Sequence, residues 1–78
     1  MEFTEKSLVE YIETQLSERQ CKDIHITNVV LLHNSKIAYA TVSYIWNLNA
    51  TEHRAFHKDL LFIFVEGEKN WRRVDFMW

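Results

Sequence analysis

The chain has 78 residues, of which 47% are hydrophobic and 14% aromatic, and its formal net charge is −2. A chain of this length forms one domain with a thin hydrophobic core, and this composition excludes a disordered polymer. Because the net charge is slightly negative, the chain has no excess of positive charge with which to bind nucleic acid as its main partner. The single glycine and the absence of proline exclude glycine-rich phosphate loops and proline-rich linkers.

Cysteine usage and the first residues indicate the cellular compartment. Cys21 is the only cysteine, so no internal disulfide can form, which fits a reducing environment. Residues 1–6 lack the basic and apolar regions of a signal peptide, and no apolar run approaches the ~20 residues that cross a bilayer. We therefore expect a cytoplasmic protein with no membrane contact.

Residues 4–22 are predicted to form an amphipathic helix. Apolar side chains recur at helical spacing along it, and Thr4 precedes them as a helix N-cap. Cys21 and Lys22 fall in its last turn, where Cys21 is expected to be a passive thiol. The outer face of the helix is acidic and carries Glu10, Glu13 and Glu18.

After Asp23 the hydrophobic period changes to two, which predicts four β-strands. Their ranges are 24–33, 36–46, 54–65 and 71–77, and short polar connections separate them. Short connections favour an antiparallel meander. We expect an α+β fold in which the one helix packs on a four-stranded antiparallel sheet.

Both faces of the predicted sheet are apolar. The small side chains of Ala38 and Ala40 favour the helix on their face, because they allow a close approach. A helix over residues 4–22 is ~28 Å long and covers one face of four strands. The other face then stays exposed, which favours homodimerisation through it. Its predicted dimer contacts are Tyr39, Thr41, Ile45, Leu61 and Ile63.

The last hairpin, residues 59–76, resembles the closing hairpin of NTF2-like domains. There an apolar strand, a glycine-containing turn, a tryptophan and an alternating strand follow one another, and Gly67 and Trp71 stand at the matching positions. The resemblance implies a cystatin-like or reduced NTF2-like (SnoaL-like) fold and dimers formed through the sheet. The sequence has no room for the two further helices of NTF2-like domains and lacks the Gln-x-Val-x-Gly loop of protease-inhibiting cystatins. The resemblance therefore implies no catalytic residue.

His57 and Asp59 are the candidate catalytic pair. Two residues apart on one strand, they share a face at ~7 Å, and a carboxylate that orients an imidazole can make a general base. Several NTF2-like enzymes use such polar pairs in their pockets. In this alternative, Tyr44, Trp46 and Phe62 line the pocket. A polar pair at the rim of the sheet explains the same residues without catalysis.

The remaining histidines do not predict a metal site. His53 and His57 lie four residues apart, which is ~13 Å along a strand, and Cys21 has no neighbours at zinc-ligand spacing. His25 and His33 are expected on one face of the first strand, at its opposite ends. We therefore expect no metal and no cofactor.

The favoured function is a non-enzymatic binding module that forms a homodimer through its sheet and binds a protein or small ligand. The first alternative is the reduced NTF2-like pocket, or an enzyme that uses His57 and Asp59. The second alternative is a small acidic inhibitor of the phage-encoded type. In that case Glu10, Glu13 and Glu18 dock on a basic surface of another protein.

Overall fold

The computed structural model describes residues 1–74 and contains one helix packed against a four-stranded antiparallel sheet. The predicted α+β fold class is therefore confirmed. The strands pair in chain order, and residues 75–77 of the predicted fourth strand lie outside the described residues. The elements are α1 (Glu5–Glu18), β1 (Cys21–Leu32), β2 (Ile37–Asn47), β3 (His53–Val65) and β4 (Asn70–Arg73).

Thr4 begins the helix, as predicted. Its hydroxyl accepts a hydrogen bond from the Ser7 backbone N–H at 3.1 Å, and the Ser7 hydroxyl accepts one from the Thr4 backbone N–H at 3.4 Å. This capping box satisfies two of the backbone N–H groups that a first helical turn leaves unpaired. The Ser7 hydroxyl oxygen also accepts the indole N–H of Trp71 at 2.9 Å, which joins the start of the helix to β4.

The helix ends at Glu18, earlier than the sequence predicts. Gln20 adopts a left-handed φ of 62° and donates its backbone N–H to the Ser17 carbonyl at 3.1 Å. A left-handed residue of this kind terminates a helix and turns the chain away from it. Cys21 and Lys22 therefore begin β1, and their predicted placement in the last helical turn is wrong.

Helix α1 covers the sheet face that carries Ala38 and Ala40, as predicted. Both alanines are buried, and so are the helix residues Leu8, Ile12 and Leu16. Burial of apolar surface between these two layers supplies the main stabilisation of the fold. The sheet completes this core with larger side chains, which are Val42, Tyr44, Leu60, Phe62, Phe64 and Trp71.

A β-bulge interrupts the pairing of β1 with β2. Thr27 pairs with Thr41 and Val30 pairs with Tyr39, so one extra residue of β1 lies between the two pairs. Asn28 lies in this bulge with a left-handed φ of 51°. Because a bulge of one residue reverses the alternation of a strand, Val30 faces away from the helix.

The same bulge separates His25 from His33. His25 pairs with Ser43 on the sheet face opposite the helix. His33 follows β1, and its ring lies 5.2 Å from the ring of Phe3, which packs against the core. The predicted placement of both histidines on one face is wrong, because the extra residue at Asn28 changes the phase of the strand.

Candidate functional site

The candidate site is the open face, which we define as the sheet surface opposite α1. The strand register aligns its side chains in rows across the sheet. In order along the strands, the rows that include β2 are Leu32–Ile37–Ile63–Arg72, Val30–Tyr39–Leu61, Thr27–Thr41–Asp59, His25–Ser43–His57, Lys22–Ile45–Ala55 and Asn47–His53.

The first two rows are apolar on β1, β2 and β3, and the first ends in Arg72 on β4. Together with Val74, whose backbone N–H donates to the Leu61 carbonyl at 3.0 Å, they form the apolar half of the open face. Val30 and Tyr39 each keep 48% of their surface exposed. Eight large hydrophobic residues are exposed within residues 1–74, and five of them lie in this half. The apolar half consists of Val30, Leu32, Ile37, Tyr39, Leu61, Ile63 and Val74.

The next two rows are polar. We call these two rows, together with Asn28, the polar band. Thr41 donates its hydroxyl to Asp59 Oδ1 at 2.8 Å and accepts a hydrogen bond from Asn28 Nδ2 at 3.5 Å. Ser43 Oγ lies 2.6 Å from His57 Nδ1. These contacts join β1, β2 and β3 through side chains as well as backbone. The polar band consists of His25, Thr27, Asn28, Thr41, Ser43, His57 and Asp59.

The five predicted dimer contacts all lie on the open face, but they do not form one patch. Tyr39, Leu61 and Ile63 lie together in the apolar half, Thr41 lies in the polar band, and Ile45 lies beyond it. The five predicted contacts do not include four members of the apolar half. These four residues are Val30, Leu32, Ile37 and Val74. Val30 and Leu32, on β1, face outward because of the bulge.

His57 and Asp59 are both exposed on the open face, and each is bonded to a hydroxyl of β2. Within the described residues, Asp59 accepts from Thr41 and His57 contacts Ser43, so the two predicted catalytic groups are bonded to β2 rather than to each other. The pairing with Ser43 follows from the β2–β3 register, which the sequence did not establish. An imidazole beside a hydroxyl can exchange a proton, but it lies here on an exposed sheet surface.

The predicted pocket residues lie on the opposite side of the sheet from His57 and Asp59. Tyr44 and Phe62 are buried in the core under α1, and Trp46 is 40% exposed at its edge. Burial raises the pKa of Tyr44, mainly by desolvation. The sheet therefore separates the predicted pocket lining from the predicted polar pair.

The acidic face of α1 lies on the surface. Glu10, Glu13 and Glu18 are all exposed, and Glu18 is the last residue of the helix. In residues 1–74, no helix is long and apolar enough to cross a membrane.

Two further observations concern the reactivity of Cys21 and the possibility of a metal site. Burial raises the pKa of the Cys21 thiol more than the charge of Arg19 lowers it, so the reactive thiolate is disfavoured at neutral pH. Within the described part of the chain, no three His, Cys, Asp or Glu side chains are grouped so that they could hold a metal ion.

Comparison with known proteins identifies no relative of this chain. No protein-family model, no curated protein and no solved structure matches the chain. The resemblance to NTF2-like domains therefore stays a prediction.

Proposed function

We propose that this protein is a small binding module that forms a homodimer through the open face. The observation that carries the proposal is the apolar half, in which five large hydrophobic side chains are exposed side by side. A contiguous exposed apolar patch on a soluble protein marks an interaction site. The occupant that we propose is a second copy of this chain.

The size of the open face suits a dimer. The exposed side chains of the apolar half present on the order of 400 Å², which lies within the range of about 300–600 Å² for the largest apolar patch of a typical monomer, a patch that is often functional. Three strands of 11 to 13 residues and the four-residue β4, spaced ~4.8 Å apart, give a face of roughly 600 Å² in projection. Side-chain relief brings the accessible area of such a face close to the ~800 Å² that each partner buries in a standard interface.

The face is also self-complementary. In a two-fold dimer the same surface meets itself, so an apolar patch can cover an apolar patch without a second binding surface. Charge on the apolar half would oppose this contact, but its seven members are all uncharged. Arg72 lies beside Ile63 and is already engaged by Glu68 in an ion pair.

The strand edges are less suited to a partner than the open face. On the free edge of β1, Asp23 and Asn28 have left-handed φ angles of 52° and 51°, at the two places where its register with β2 shifts. At the other edge, β4 is only four residues long within the described chain and ends in Arg72 and Arg73. Bulges, short strands and charged residues all protect an edge against pairing.

One pair of matched variants tests the proposal. Ile63 in the apolar half is 40% exposed, and Leu48 in the β2–β3 connection is 37% exposed. In sedimentation velocity at micromolar concentration, wild type and Leu48→Asp should have a mass of 18.8 kDa, twice the 9.4 kDa of one chain. Ile63→Asp should sediment at 9.4 kDa with an unchanged circular dichroism spectrum. A dimer that Ile63→Asp leaves intact would contradict the proposal.

A further inference from the structure

Three of the four histidines lie on the open face. His25 and His57 flank Ser43 from the two neighbouring strands, and His53 pairs with Asn47 at the far end of the same face. All three are exposed. The fourth histidine, His33, contacts Phe3 on the other side of the sheet.

Two of these imidazoles have a fixed partner on one ring nitrogen. Ser43 Oγ lies 2.6 Å from His57 Nδ1, and Asn47 Oδ1 accepts from His53 Nδ1 at 2.5 Å. A protonated imidazole donates from both nitrogens, so its second N–H needs a further acceptor. Water supplies this acceptor on an exposed face, whereas a second copy seated on the face removes that water.

Two carboxylates on or beside the open face already have a partner. Asp59 already accepts from Thr41, and Glu68 already pairs with Arg72. In the described residues, the other titratable or charged groups along the open face and its edges are Lys22 and Asp23 on β1, the Tyr39 phenol on β2 and Glu52, which directly precedes His53. At neutral pH the two bases (Lys22 and Arg72) and the four acids (Asp23, Glu52, Asp59 and Glu68) leave two net negative charges per chain. Three protonated imidazoles reverse this to one net positive charge.

We infer that protonation of His25, His53 and His57 dissociates the dimer. The inference rests on the proposed homodimer, because only a second copy on the open face excludes water from these side chains. Imidazole is the side chain that changes its charge between pH 5 and 8. A charge buried without a partner is strongly unfavourable, so the monomer, in which the histidines stay hydrated, gains population as the pH falls.

The size of the effect follows from proton linkage. For each imidazole that must lose its proton when the dimer forms, the dimer Kd rises about tenfold for every pH unit below the imidazole titration range. The dimer Kd should therefore be at least about tenfold higher near pH 5.5 than near pH 7.5.

Sedimentation velocity at about pH 7.5 and about pH 5.5 tests the inference. The triple variant His25→Gln, His53→Gln, His57→Gln should form dimers of equal affinity at both pH values. The matched control His33→Gln should weaken in acid as wild type does. Circular dichroism at both pH values monitors the fold.

The outcomes separate this inference from the proposed function. A wild-type dimer of equal affinity at both pH values would overturn the inference alone, and so would an acid response that survives in the triple variant. Unfolding near pH 5.5 would also overturn it, since the switch requires folded monomers. A wild-type chain that is monomeric at both pH values would contradict the proposed homodimer itself.

Discussion

Val30 and Tyr39 lie directly opposite each other on adjacent strands of the open face, and each keeps 48% of its surface exposed. This pair depends on the bulge at Asn28, because without the extra residue Val29 rather than Val30 would face outward. Cross-strand pairs of this kind contribute to sheet stability, but a large part of both side chains stays in water. Covering them is the main gain that a second copy offers.

The first prediction concerns the bulge itself. A β-branched residue is strongly disfavoured at the left-handed φ of 51° that Asn28 adopts, whereas glycine is not. We expect Asn28→Val to lower the free energy of unfolding by about 1–2 kcal/mol and to weaken dimerisation. Asn28→Gly should keep the dimer. Urea denaturation and sedimentation velocity measure the two effects.

Thr27 provides the matched control for this prediction. It adjoins the bulge, pairs regularly with Thr41 and is exposed. Thr27→Val should change the stability by no more than about 0.5 kcal/mol, as is usual for surface substitutions. Equal losses for Asn28→Val and Thr27→Val would show that the backbone at Asn28 is not the cause.

The second prediction concerns Ser7, which is buried between α1 and β4. Its hydroxyl completes the capping box and accepts the Trp71 indole N–H at 2.9 Å. Ser7→Ala leaves this N–H buried without a partner, so we expect a loss of about 1–3 kcal/mol in the free energy of unfolding. Ser17→Ala, at an exposed position of the same helix, is the control and should stay within about 0.5 kcal/mol. Similar values for both variants would argue against the Ser7–Trp71 link.

The third prediction concerns the residue that ends the helix. Gln20 has a left-handed φ of 62°, which costs a residue with a side chain more than it costs glycine. Gln20→Gly should therefore raise the free energy of unfolding by up to about 1 kcal/mol. Glu13→Gly, in the middle of α1, should lower it by about 1 kcal/mol. Destabilisation by Gln20→Gly in urea denaturation would contradict the assigned helix end.

The fourth prediction concerns alkaline pH. Burial of Tyr44 raises the pKa of its phenol, and the charges of Arg73 and Arg19 offset this in part. Because the folded pKa is higher than the unfolded pKa of about 10, this stability contribution is complete below pH 10 and is lost as the pH rises through the folded value. Desolvation likewise raises the pKa of Tyr11.

A variant with a single tyrosine measures this pKa. The chain has three tyrosines, so Tyr11→Phe with Tyr39→Phe leaves Tyr44 alone. Titration by phenolate absorbance should give a midpoint above about 10 in the folded protein and near 10 in urea. A folded midpoint at or below that of the unfolded chain would contradict the buried position of Tyr44.

Local chemistry predicted much of this fold. Thr4 before an amphipathic segment identified the helix start, and the alanines at positions 38 and 40 identified the sheet face that the helix covers. Both features depend on residues close together in the chain or on one strand. The end of the helix was missed, because no glycine or proline marks the left-handed residue Gln20.

The open face could be predicted only in part. Residues 29–32 are two valines followed by two leucines, so β1 is apolar in either phase and hydrophobicity could not reveal the bulge at Asn28. The contact of Ser43 with His57 requires the β2–β3 register, which the connection between these strands determines. Long-range register and bulges, rather than residue type, decided which side chains meet on this face.

The most direct test of the account is the mass of the wild-type chain in solution at neutral pH. Sedimentation velocity over a dilution series through the micromolar range should show 18.8 kDa at the higher concentrations and an approach to 9.4 kDa on dilution. A single species of 9.4 kDa throughout that range would mean that water, and not a second copy, covers Tyr39 and its neighbours.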